Sequence, residues 1–91
     1  MRYRTKSILV NAIQFRGGIE STNRVREFVN KYGFLSTWHM VWNTFSVEII
    51  KDPSQWATGN VGDWFIYEPI RNRIEVVSNE DFLEKYELME N

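Results

Sequence analysis

The chain has 91 residues, the size of one domain with a small core. Apolar residues make up 43% and charged residues 25%, an ordinary globular balance, while the 15% aromatic share supplies large burial per side chain. The absence of cysteine excludes disulfides, thiolate metal sites and cysteine nucleophiles, and with one histidine and a net charge of −1 the chain is neither zinc-rich nor strongly basic.

In chain order, Met1–Lys6 leads into a short mixed segment, so neither a membrane span nor a signal peptide is expected. Ile8-Leu9-Val10-Asn11-Ala12-Ile13-Gln14-Phe15 is rich in β-branched residues, too short for a typical helix, and ended by Gly17-Gly18. It reads as a buried strand. A helix over about 21–32 follows, with Ser21 as N-cap, Val25, Phe28, Val29 and Tyr32 as one apolar stripe, and Gly33 as the residue after its end.

Residues 36–50 alternate. Trp38, Met40 and Trp42 share one face, Thr37, His39 and Asn43 the other, and Phe45, Val47 and Ile49 then alternate with Ser46 and Glu48. Two strands of an antiparallel hairpin meeting near Asn43 are predicted. Lys51-Asp52-Pro53-Ser54-Gln55 reads as loop. A second meander joins Val61–Tyr67 to Arg73–Val77 through a loop at Glu68–Asn72. Ser78 caps a short terminal helix, with Asp81 as an imperfect capping-box partner and Phe82, Leu83 and Tyr86 on its inner face. The expected fold is one α+β domain over residues 1–91. Its sheet has about five mostly antiparallel strands, with the 21–32 helix packed across one face and a short C-terminal helix.

Three elements in this order, Val10-Asn11-Ala12-Ile13-Gln14-Phe15, Gly62-Asp63-Trp64-Phe65-Ile66 and Phe82-Leu83-Glu84-Lys85-Tyr86-Glu87, give the chain a resemblance. It resembles a group of small phage and prophage proteins. These carry an early Val-x-Ala-x-Gln-aromatic strand, a Gly-Asp-Trp-apolar-Ile strand and a closing Phe-x-x-x-Tyr-Glu segment. The matched order covers roughly half the chain; residues 33–58 have no counterpart, and Phe15 stands where Trp is common. What the resemblance implies is a phage origin rather than a chemistry.

Each residue with chemical potential has a structural alternative. Asp63 in the Gly-Asp-Trp element is read as a turn residue that accepts from exposed amides, beside Gly62 for the tight turn and Trp64 as a core anchor of the sheet. His39 falls on the wetter face of its strand, without a second histidine for a zinc set. Gly17-Gly18 precedes a helix, but Ile19-Glu20 replaces the Gly-Lys-Ser/Thr of a phosphate loop, so a plain turn is read. No pair of carboxylates with contrasting environments can be named for acid–base catalysis. Neither a catalytic residue, a metal nor a cofactor is therefore called for.

Charge is unevenly distributed, with a balance of +5 over residues 1–45 and −6 over 46–91. Arg2, Tyr3, Arg4, Lys6 and Arg16 could meet phosphates and bases, yet the acidic C-terminal quarter argues against a nucleic-acid domain. The reverse case, in which Glu80, Asp81, Glu84, Glu87 and Glu90 mimic a phosphate backbone, competes with a merely solvated helix face. The expectation is a phage-encoded, non-enzymatic accessory protein of the host bacterial cytoplasm. It binds and modulates or inhibits a host bacterial protein, with anti-defence as one setting, no membrane partner, and self-association left open. Trp38, Trp42 and Trp56 are the interface candidates, since Trp and Tyr dominate binding hot spots, although each also suits a core. The alternatives are capture of a small ligand such as a nucleotide signal, through an aromatic platform with Arg71 or Arg73, or a virion assembly or nucleic-acid-binding component.

Overall fold

The computed structural model describes residues 9–41, 44–52 and 55–87, with side chains at 9–40, 45–50 and 57–87. The order of elements is β1 (Asn11–Gln14), α1 (Gly18–Lys31), β2 (Leu35–Val41), β3 (Thr44–Asp52), β4 (Gln55–Asn60), β5 (Trp64–Glu68), β6 (Arg73–Val77) and α2 (Asn79–Lys85). The strands form two antiparallel three-stranded sheets, ordered β1-β5-β6 and β2-β3-β4. The α+β class and the main helix agree with the sequence reading. The single sheet of about five strands does not: the described residues hold six strands in two sheets. The additional strand is β4. Its sequence Gln-Trp-Ala-Thr-Gly-Asn mixes strand formers with residues depleted in strands, and the loop reading of 51–55 gives way to continued pairing of Asp52 with Gln55.

Helix α1 begins at Gly18, three residues before the expected start. Ser21 is not its N-cap. Gly17 occupies that position at φ +83° with no side-chain cap, and Ser21 Oγ instead accepts from the Arg16 N–H at 2.8 Å. The far end follows the glycine rule. Gly33 at φ +87° donates to Asn30 O and Phe34 donates to Val29 O, the paired bonds of a Schellman motif, and Phe34 packs against the core as that motif favours. Thr22, Val25 and Val29 are the buried positions of the helix.

Both sheets contribute one face to a shared core. Val47 and Ile49 of β3, Phe65 of β5 and Ile74 of β6 join Val25 and Val29 of α1 and Phe15 just after β1. Strand β1 is shorter and less buried than the sequence suggests. Asn11 and Ala12 are exposed, and β1 is an edge with only β5 as neighbour. The Gly-Asp-Trp turn anchors it: Phe15 donates to Asp63 O at 2.9 Å and Gly62 to Phe15 O at 2.7 Å. The Asp63 carboxylate accepts from the Asn60 N–H at 2.9 Å, and Gly62 takes φ +98°.

The sheets meet where Phe65 lies on Gly59. A Cβ at Gly59 would stand 2.2 Å from Phe65 Cζ, so only glycine lets the tip of the ring reach the β4 backbone. Trp64 lies on the other face of β5. It is half-buried rather than a core residue, its ring stacked on Phe82 of α2 at 3.8 Å and 4°, with its Nε1 donating to Asn79 Oδ1 at 2.9 Å. Ser78 caps α2 by accepting from the Asp81 N–H, as expected, but no residue of α2 is fully buried and Leu83 faces solvent.

Two measurements follow from this division. Phe65→Ala should cost about 3–5 kcal/mol, the usual range for a large core aromatic, and Trp64→Ala clearly less in the same urea titration. Gly59→Ala should cost about 1–3 kcal/mol through overpacking against the buried ring. Equal costs for the two aromatics would return Trp64 to the core.

Candidate binding surface

The register of the β2–β3 hairpin decides where Trp38 stands. Trp38 pairs with Val47 and Met40 with Phe45, so both follow the core-facing side of that sheet. Val47 is covered, whereas Trp38 remains 43% and Met40 54% exposed on the sheet's outermost strand. The early start of α1 places Ile19, 68% exposed, in its first turn beside them. Ile19, Thr22, Asn23, Trp38 and Phe45 line a shallow cleft of about 40 Å³. The Trp38 ring lies 5.9 Å from that of Phe45 at 23°, and Phe45 packs in turn against the core. Trp38 is thus an exposed aromatic on a rigid mount.

Of the other sequence candidates, Trp42 lies outside the described residues. Trp56 is placed by its backbone opposite Ile50, but its side chain is also outside them. Arg2, Tyr3, Arg4, Lys6 and Glu90 fall outside them as well. Ile19, Met40 and Phe45 carry no polar group or indole to mark them in the sequence; the shared parity of Met40 with Trp38 is the one local signal.

Arg71 and Arg73 sit around the β5–β6 turn, far in character from a free anion site. Arg73 pairs with Glu75 and lies 3.6 Å from Glu68, and Arg71 lies 3.9 Å from Glu68. The turn is fixed by Asn72 at φ +50°, whose Oδ1 accepts from the Tyr67 hydroxyl at 2.7 Å. Two carboxylates therefore offset the two guanidinium groups, which weakens their field for an external phosphate. His39 lies on the opposite sheet face from Trp38, its Nε2 3.9 Å from Glu48 Oε1. A separate open recess of about 470 Å³ lies between β1 and the start of α1, lined by Gln14, Arg16, Glu20, Arg24 and Trp64 among others. Arg24 is held there by Glu20 at 2.7 Å.

Among the described residues no group of three or more His, Asp or Glu is placed to hold a metal ion, and no helix is long and apolar enough to cross a membrane. Comparison with protein-family models, with curated proteins and with solved structures found no match.

The outer face of β5–β6 carries a titration signature. Burial raises the Tyr86 hydroxyl above its usual value near 10; the charges of Glu75 and Glu68 add to the rise and Arg73 opposes it. The folded state therefore holds this proton more tightly than the unfolded chain. Its contribution is intact below pH about 10 and is lost as pH rises through the folded-state value. Melting temperatures measured up to strongly alkaline pH should fall more steeply in the native chain than in Tyr86→Phe. Parallel curves would show that Tyr86 does not couple α2 to the sheet.

Proposed function

We propose that this chain is a phage-encoded accessory protein that works by binding, without catalysis. In this reading it docks on a host bacterial protein in the host cytoplasm and modulates or inhibits it, with a defence system as the natural target class. The observation that carries the binding reading is the Ile19–Trp38–Met40–Phe45 surface, four apolar side chains from α1, β2 and β3 around one shallow cleft or its rim. A half-exposed Trp stacked on a core-packed Phe loses little side-chain freedom on binding, which is the character of an interface anchor. The phage origin rests on the ordered resemblance of the three sequence elements, and the target class rests on that origin.

Capture of a phosphorylated small molecule is the second reading. What favours it is the open recess with Arg16 and Trp64 on its walls. Glu20 on the same wall holds Arg24 and places a negative charge where an anionic ligand would sit, so protein docking is the better supported of the two.

The test is affinity purification of tagged protein from host cells, with mass spectrometry of proteins and small molecules, followed by calorimetry with the recovered partner. Trp38→Ala should cost about 2 kcal/mol or more of binding energy, the scale of a hot-spot residue. Arg71→Ala should chiefly alter association rate and salt dependence. Saturable binding of a small-molecule fraction that survives Trp38→Ala and is lost in Arg16→Ala would establish ligand capture instead.

A further inference from the structure

Strand β2 ends its sheet, and natural proteins rarely leave such an edge undefended. Every second residue along an outermost strand turns its N–H and C=O away from the only neighbour it has. The usual defences are lysine, proline, a bulge, a short strand or a covering element. Strand β2 reads Leu-Ser-Thr-Trp-His-Met-Val, seven residues without lysine, arginine, a carboxylate, proline or glycine. Its register with β3 runs unbroken from Leu35 opposite Ile50 to Val41 opposite Thr44, so no bulge twists it away. Leu35, Thr37, Trp38, His39 and Met40 are all exposed.

The other sheet edges differ. Strand β4 runs close to β6, so these two edges face each other within the chain. Strand β1 has only four residues, and Asn11 at its start is tied to the Tyr32 hydroxyl at 2.7 Å. Among the described residues β2 is the long, open, uncharged edge.

We propose that β2 pairs with β2 of a second copy of this chain, antiparallel about a two-fold axis at Trp38, joining two three-stranded sheets into one of six strands. An isologous contact needs a surface that complements itself, and this strand does. The axis sets Trp38 against Trp38, Ser36 against Met40, Thr37 against His39 and Leu35 against Val41, so no carboxylate, lysine or arginine opposes its like anywhere along the seam. The occupant must be a strand, because the groups on offer are backbone donors and acceptors in ladder spacing. The strand's own residues carry no carboxylate, lysine or arginine. The nearest charges, Arg26 bonded to Ser36 and Glu48 beside His39, belong to α1 and β3, so a second copy brings the same length and the same uncharged row of residues. The pairing brings the two Trp38 rings side by side on one face of the joined sheet, at cross-strand contact distance, and sets the two Ile19–Phe45 clefts on that same face. It stands independently of the proposed host partner.

A single strand-to-strand seam lies at the small end of specific interfaces, so the dimer should be concentration-dependent. Sedimentation velocity of the full chain from about 1 µM to about 500 µM, a span that brackets weak association, should show the mass moving from one chain toward two. Amide exchange in β2 should slow in step, with β4 unchanged. The variant T37K/H39K sets lysine against lysine at both Thr37–His39 crossings and alters only exposed positions. It should keep its melting temperature and remain monomeric throughout, while the control T58K on β4 should dimerise as the native chain does. A native chain monomeric across the range would overturn the proposal. So would a dimer that persists in T37K/H39K or is lost in T58K, since either places the contact elsewhere.

Discussion

The packing of the Phe65 ring on Gly59 is the contact on which the rest of the structure depends. Two antiparallel three-stranded sheets each turn one face to the shared core, and on the opposite face of β5 Ile66 is buried as well. Phe65 reaches from one sheet to the backbone of the other at the one place where β4 has no side chain. With the sheets joined there, Val47, Ile49 and Ile74 converge, and α1 closes the remaining side with Val25 and Val29. The Gly-Asp-Trp turn serves the same end. It holds Phe15 by two backbone bonds and sends the following strand off with Phe65 inward and Trp64 outward. The outward Trp64 then gives α2 its seat, through the stack on Phe82.

That arrangement also explains where apolar surface remains. Helix α1 covers the middle of the β2–β3 hairpin, where Val47 is fully buried, but Trp38, Met40 and Phe45 extend past the protection it offers. Ile19 stands at the beginning of the same helix and adds to the exposed set. The surface is therefore continuous with the core, and its aromatic pair inherits the rigidity of the core behind it. The polar features are committed internally. Asp63 closes a turn, Arg73 lies between two glutamates, and Gln14 and Trp64 share Asn79 as an acceptor.

Much of this was legible in the sequence wherever local pattern and tertiary packing agree. The stripe Val25–Phe28–Val29–Tyr32, the Gly33 terminus, the Trp38–Ile49 alternation and the Ser78 cap are each dictated within a few residues. The misreadings arise where long-range contacts override local preference. Ser21 is a good cap by type, yet the chain closes the helix start with Gly17 and spends the Ser21 hydroxyl on Arg16. Strand β4 carries no strand pattern of its own, since the loop reading ends at Gln55 and Ala57, Gly59 and Asn60 suit strands poorly, and Gly59 is there for a ring that arrives from Phe65. Trp64 reads as core because it is large and apolar within a strand, but sheet parity gives the position facing the shared core to Phe65. The recess beside α1 and the Ile19–Trp38 cleft join residues distant in sequence, beyond the reach of any local pattern.

The contact at Gly59 has a direct spectroscopic signature, because protons this close to the tip of the Phe65 ring cross-relax with its Hζ and Hε protons. Assignment of the α-protons of Gly59 by heteronuclear NMR in the native chain tests the account most directly. At least one of them should show strong cross-relaxation to the Hζ and Hε protons of Phe65, and this signal should vanish in Phe65→Leu. An absence of cross-relaxation to Phe65 would contradict the joining of the sheets at this point, and with it the placement of the exposed Trp38 surface.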